Sequence, residues 1–307
     1  MEKNNKKTQE EIYSRSVNRL REDSSASFLE YPLTVQDTKK AKFLKLLDLD
    51  QDDRVLDVGC YAGGFSRFLN KYYRVRTVGI DLSFTCVQYC VKSDRFGNRF
   101  HVADAENLPF VQNSFDAVLS IAVLEHLSDL KKGISEIYRV LKNEGRAVIH
   151  LPVKDDKYTL MWLLRKVAPQ RLRKSLESIG HDYSRIPTSR QLVRLLEEEG
   201  FIVKDTERVG HFIQPLHDWY VIAFLYRHVF SPVRNVLRNI TGRKDRSHDR
   251  IRVKGNAFDD GGYIGSGAFR KAYSTVILPL VRILVFFERL VGFRGGYCIY
   301  ILAMKPQ

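Results

Sequence analysis

The 307-residue chain is poor in cysteine, with only Cys60, Cys86, Cys90 and Cys298. These are too few and too scattered for a disulfide framework, and no paired C-x-x-C occurs, so a stapled secreted scaffold and a cysteine-held metal ribbon are both set aside. Cys86 and Cys90 stand one helical turn apart and read as core residues. An apolar signal core is also missing: the chain begins MEKNNKKTQEE, which argues against secretion and fits exposure to the cytosol. No run of about twenty uninterrupted apolar residues occurs, so no membrane-spanning helix is expected.

What the chain does have is apolar bulk and positive charge. Hydrophobic residues make up 44%, ample for a packed core, and the net charge is +14. The excess is lopsided. Residues 151–307 hold 27 Lys and Arg against 15 Asp and Glu, leaving 23 against 21 in the residues before them. A basic surface suits anionic lipid, nucleic acid or an acidic substrate, and charge alone does not choose among them. The arginines border apolar blocks and do not interleave with aromatics as a base-stacking platform would, which disfavours nucleic acid.

The chain is organised around Arg54–Leu69, RVLDVGCYAGGFSRFL. Val55-Leu56-Asp57-Val58 reads as a strand buried on both faces. Gly59-Cys60-Tyr61-Ala62-Gly63-Gly64 breaks it, and Phe65, Phe68 and Leu69 resume at helical spacing. A strand, a glycine turn and a helix N-terminus are how a doubly wound sheet meets a nucleotide-like ligand. The same turn also serves simply to let helix pack on strand. Val78-Gly79-Ile80-Asp81 then reads as a second buried strand ending in a carboxylate, placed to accept hydrogen bonds from ribose hydroxyls. The glycines do not follow G-x-G-x-x-G, which speaks against a dinucleotide-dependent dehydrogenase.

Downstream come ADAENLPF, NSFDAVLSIAVLEHL and YRVLKNEGRAVIHLPV. With DVGCYAGG and GIDLS, in this order and at this spacing, they make the chain resemble the class I S-adenosylmethionine-dependent methyltransferases. Within that family it resembles the branch of ubiquinone and menaquinone biosynthesis methyltransferases. The resemblance covers roughly residues 40–153. It implies an α/β, doubly wound, Rossmann-like sheet of seven mostly parallel strands, with the last strand antiparallel. It also implies S-adenosyl-L-methionine as methyl donor.

Alternating strand and helix patterns agree. Residues 1–36 read as a polar arm or cap and 37–210 as the cofactor-binding core, with a helical cap at 154–185. An amphipathic helix is expected at 37–47 and a fifth strand from Arg146 after a turn at Lys142–Gly145. Phe201–Val209 and Tyr297–Met304 are the expected last pair, the final strand lying within 293–307. In the family a short turn joins them; here an insertion, 211–292, intervenes. Its blocks WYVIAFLY and VILPLVRILVFF are apolar and edged by arginine. This pattern fits helices lying in a membrane interface beside anionic headgroups, and equally a lid with its own core or an oligomer contact.

The resemblance implies roles residue by residue. Asp57 would help hold the cofactor's ammonium, often through a water, or would simply bond to the glycine turn. Gly59 and Gly63 would admit the cofactor's close approach. Tyr61 stands where the family commonly has glycine, and would line the substrate mouth or cover the methionine moiety. Asp81 would take both ribose hydroxyls, and Leu82 would pack on adenine. Asp104 would accept from the adenine amino group, with the Ala105 N–H nearby. His126 is the candidate general base, or else a structural histidine. His150, His181, Asp182 and Tyr183 fall on or after the fifth strand. Quinone O-methyltransferases carrying E-x-x-E-H associate the acids and histidine with metal, but the first acid's position here holds Ala122, so no metal is expected.

The function that follows is methyl transfer, to oxygen rather than carbon, onto an apolar or lipid-linked acceptor. It would take place in the cytoplasm, at the face of an anionic membrane. A soluble enzyme acting on a small polar metabolite, a nucleic-acid-binding protein and a non-catalytic cofactor-binding protein are the alternatives.

Overall fold

The computed structural model describes residues 42–170, 172–173, 185–209, 275–276, 279–281, 283 and 296–307. Apolar runs become the interior of its sheet. β1 (Arg54–Val58) is buried from Val55 onward because parallel neighbours flank it on both sides. α1 (Gly64–Tyr73), β2 (Arg76–Asp81), α2 (Phe84–Ser93), β3 (Arg99–Val102) and β4 (Phe115–Ile121) follow. A 3-10 turn, Leu124–His126, then leads to α3 (Leu130–Val140) and β5 (Leu141–Pro152). Beyond lie α4 (Leu160–Val167), α5 (Ser189–Glu199), β6 (Ile202–Val209) and β7 (Cys298–Met304).

The strands form one seven-stranded sheet in the order β3-β2-β1-β4-β5-β7-β6. β7 runs antiparallel to β5 and β6, and the other pairings are parallel. This is the expected doubly wound architecture. One face of the sheet packs Leu56, Val118, Ile149 and Ile301 against Ile134 and Ile137 of α3 and Leu192 and Leu196 of α5. The other packs Val55, Leu119, Val148 and Tyr300 against Phe43, Leu44 and Leu47 and against Leu69 of α1. Leu192 and Leu196 are fully buried, each contributing about 2 kcal/mol by leaving water.

Helix ends follow from capping side chains. Asp129 accepts from Lys132 N–H to start α3. Thr188 and Gln191 bond reciprocally to start α5, a capping box. The Thr159 hydroxyl caps α4 by accepting from Trp162 N–H, and it is itself held by the buried Asp156, which also pairs with Arg165.

One expectation is corrected. β5 begins at Leu141, paired with Phe115, and the ladder resumes at Arg146 opposite Ala117. Lys142–Gly145 is therefore a bulge inside the strand and not a turn before it, with Glu144 at φ 62 taking up the extra length. At the N-terminus, residues 42–45 are helical, entering a turn at 46–47. The arm at 1–36 lies outside the described residues, as do the start of the 37–47 helix, all of 174–184 and most of the 211–292 stretch.

A topological detail positions everything that follows. Pro152 at the end of β5, Cys298 at the start of β7 and Val209 at the end of β6 are cross-strand neighbours. The chain after β5 and the chain between β6 and β7 thus both leave from one point on the sheet's carboxyl edge. That is also the edge on which β1, β2 and β4 end.

Candidate cofactor site

Asp57 is the buried centre of the site. It lies near the end of β1, where its carboxylate accepts from the Ser66 hydroxyl at 2.7 Å and from the Ser66 backbone N–H. Ser66 is in the first turn of α1, whose N-cap, Gly63, brings no side chain to the task. A strand-end carboxylate therefore caps the helix from outside, and the bond to the glycine-turn helix is real. Burial pushes Asp57 up to about 7 despite the two Ser66 bonds, with the neighbouring Asp81 charge adding to the rise.

Two glycines make the turn. Gly59 has φ 68, and a Cβ there would stand 2.3 Å from a methyl of Val123, in the loop after β4. Gly63 has φ 70, with Cys90 Sγ 3.1 Å from where its Cβ would be. Both backbones favour glycine; at Gly59 space excludes a side chain as well, and at Gly63 the neighbours leave only a tight fit. Tyr61 sits between them at φ 48, an unusual conformation for an aromatic residue. Three contacts hold it. Its N–H donates to Asp81 Oδ2 at 2.9 Å, its carbonyl accepts from Cys90 Sγ at 3.1 Å, and its ring packs with Ala62, Cys86 and Tyr89. The ring thus leans toward α2. Arg67, buried on α1, reaches back to the Ala62 carbonyl and across to Ser93 of α2, fastening the turn.

Asp81 ends β2. Its second oxygen accepts from Ser83 N–H at 2.8 Å, so each carboxylate oxygen takes one backbone donor and keeps further acceptor capacity. Burial raises its carboxyl, and those two N–H bonds draw it back. Leu82 follows, half-buried in the bend before α2.

Asp104 and Ala105 lie in the loop after β3, whose Ala103 N–H donates to the Asp81 carbonyl. Asp104 itself accepts from Glu106 N–H. The sequence reading missed what fixes this loop. Glu106, buried, accepts from Ser128 and Asp129 N–H; Glu136 accepts from Leu108 N–H; and Arg139 donates to the Leu108 and Phe110 carbonyls. The only signal in the sequence was an acid and an arginine three apart on α3, which is ordinary surface spacing.

The loop after β4 supplies the third wall. Ala122 has φ 58 and donates its N–H to the His150 carbonyl. Val123 covers Gly59. Glu125 and His126 follow in the 3-10 turn, both buried, with His126 N–H bonded to the Val123 carbonyl. His150, near the end of β5, is buried with its ring centroid 4.2 Å from that of Tyr300. The structure thus gathers Asp57, Gly59, Tyr61, Gly63 and Asp81 into one cradle and brings the Ala122–His126 loop over it. His181, Asp182 and Tyr183 lie outside the described residues.

Comparison with known proteins decides the family. Residues 56–149 match the model of the family described as a methyltransferase domain. The demethylmenaquinone methyltransferase of Thermotoga maritima is 31% identical over 185 residues, covering 54% of this chain and 78% of that protein. The chain belongs to the class I S-adenosylmethionine-dependent methyltransferases. A wheat (Triticum aestivum) phosphoethanolamine N-methyltransferase is 32% identical over 118 residues, but that match spans only 23% of the relative and 38% of this chain. In shape, the chain is similar to phosphoethanolamine N-methyltransferase 2 of Haemonchus contortus, solved with S-adenosylhomocysteine. The TM-score is 0.56 at 18% identity, over 88% of this chain and 53% of that one.

The cofactor is S-adenosylmethionine, and the residues present fit it. The turn at Gly59 is a close backbone approach, packed against Val123 with no room for a Cβ. α1 begins without a side-chain cap of its own, and a carboxylate with acceptor capacity to spare ends the second strand.

The buried acids make a pH prediction. Burial pushes Glu125 up to about 8 from its ordinary 4.5. A carboxyl whose folded pKa is raised holds its proton more tightly folded than unfolded, so stability falls as pH climbs from about 4.5 toward 8. Glu125→Gln mimics the protonated acid. Denaturant titrations should find it close to the parent at pH 5 and more stable by about 2 kcal/mol at pH 9, where the parent must ionise a buried group. An advantage that did not grow with pH would place the Glu125 carboxyl in water.

Proposed function

We propose that the chain transfers a methyl group from S-adenosylmethionine to an apolar or lipid-linked acceptor at a membrane surface, with oxygen the favoured acceptor atom over carbon. Bound S-adenosylmethionine supplies a methyl group already activated by its positive sulfur. The protein's task is to align the acceptor and exclude water. In this reading Asp57 holds the ammonium, Gly59 and Gly63 let the turn close on the methionine end, and Asp81 takes the ribose hydroxyls. Leu82, Asp104 and the Ala105 N–H hold adenine. His126, on the loop covering the cradle, removes the acceptor's proton. A relative matched over 78% of its own length, a demethylmenaquinone methyltransferase, keeps the quinone branch among the acceptor classes.

The observation that carries the acceptor class is the shared departure point of Pro152, Val209 and Cys298. Both basic, apolar segments of the chain grow from the edge where the cofactor cradle opens, and an acceptor with a hydrocarbon tail has somewhere to lie there.

The test is methyl transfer from labelled S-adenosylmethionine into a total lipid extract, set beside an aqueous metabolite extract. Label entering the organic phase, slowed at least tenfold by His126→Gln with cofactor binding unchanged, is the expected result. Label found only in water-soluble product would replace this acceptor with a polar metabolite.

A further inference from the structure

We infer that the outer side of α4 and the exposed helical face within 275–283 together form a seat for an anionic lipid bilayer. The inference deepens the membrane reading above and rests on it.

Large apolar side chains left in water are its first support. Among the described residues twelve are exposed, and five belong to the segments that leave the sheet beyond β5: Tyr158 (64%), Val167 (68%), Val276 (61%), Leu280 (58%) and Ile283 (52%). The described positions between 275 and 283 are helical, and 276, 280 and 283 follow the spacing that puts residues on one helix face. Val281, off that face, is buried. The helix therefore packs inward by one side and shows a row of branched apolar side chains on another.

α4 is built alike. Leu160 and Met161 turn in, Met161 joining Leu172 with Leu164 and Tyr297 packed against them, while Val167 stands out. Tyr297 directly precedes β7, and its carbonyl accepts from Val153 N–H just after β5. This anchors α4 at the point from which the 210–297 segment departs. Tyr158, at φ 63, projects ahead of the helix with its ring near Trp162.

Charge complementarity selects the occupant. Exposed Lys157 precedes α4, exposed Lys166 lies in its last turn, Arg173 is exposed beyond it, and residues 151–307 carry 27 basic against 15 acidic side chains. A bilayer offers hydrocarbon beneath an anionic headgroup layer, and exposed apolar side chains on segments rich in lysine and arginine match both. Among the described residues no helix is long and apolar enough to cross a membrane, so the fit is to the interface.

The test is flotation of the full chain with vesicles of phosphatidylcholine alone and of equal parts phosphatidylcholine and phosphatidylglycerol, beside calorimetry with S-adenosylmethionine. The parent should float with the anionic vesicles only. Val167→Ser, and the triple variant Val276→Ser, Leu280→Ser, Ile283→Ser, should each weaken partitioning, the triple at least tenfold, with cofactor affinity unchanged. Val111→Ser, an equally exposed valine in the loop before β4, should behave as the parent. A parent that binds cofactor but ignores vesicles, or a triple variant that floats as well as the parent, overturns the seat and leaves methyl transfer standing. A parent that floats but binds no cofactor supports the seat and sinks the methyltransferase reading.

Discussion

Asp81→Asn is expected to weaken S-adenosylmethionine binding by about a hundredfold or more while leaving the protein folded. The carboxylate that ends β2 already holds two backbone donors, Tyr61 N–H and Ser83 N–H, one on each oxygen. Its remaining acceptor sites are what a ribose diol needs, since each hydroxyl can donate to a different oxygen. A hydrogen bond to a charged group contributes about 1.5–3 kcal/mol. Asparagine loses one of these bonds outright and weakens the other to a neutral one, removing roughly 3 kcal/mol, about a hundredfold at 1.4 kcal/mol per decade. Asparagine keeps the shape and one acceptor oxygen, but turns an NH2 toward one of the two backbone donors. The turn should loosen by only about 1 kcal/mol, with no change of fold. Calorimetry reads the affinity and thermal unfolding reads the fold. An asparagine variant that bound as tightly as the parent would mean that ribose is held elsewhere and that Asp81 serves only to fix the Tyr61 turn.

The strands and the glycine turn were legible because their signals are local. Val55–Val58 and Phe115–Ile121 are apolar runs, and Gly59, Gly63 and Gly64 mark the break between strand and helix. The pairing of β6 with β7 across the long insertion was legible only through the family resemblance, since no local pattern links residues about ninety apart. The bulge at Lys142–Gly145 looked like a turn because its residues are turn formers; the register of Leu141 against Phe115 makes it part of the strand. What fixes the loop of Asp104 was not legible. Glu106, Glu136 and Arg139 act on backbone groups more than twenty residues away, and such bonds leave no periodicity in a sequence. The same holds for Val123, an ordinary valine in sequence whose position over Gly59 explains half of that glycine's requirement.

That requirement can be divided. Gly59→Ala should destabilise the protein by about 4 kcal/mol, combining the strain of an alanine in the left-handed region with overpacking against Val123. The new Cβ would sit 2.3 Å and 3.2 Å from the two Val123 methyls, but 3.3 Å from Val123 Cβ. Val123→Ala removes both methyls and leaves a contact that a small shift relieves. Alone it should cost about 1 kcal/mol, Val123 being half-buried. The double variant should then be more stable than the sum of the singles, by about 2 kcal/mol of coupling, with the backbone strain remaining. Cofactor affinity separates two reasons for the glycine. If the double variant regains stability but still binds S-adenosylmethionine poorly, the methyl group occupies space that the ligand needs, and Gly59 is a binding residue in its own right. If stability and affinity return together, Gly59 serves the closure of the Val123 loop, and the cradle is set by that loop. If neither returns, φ 68 alone dictates glycine here, and the turn itself is what the site cannot do without.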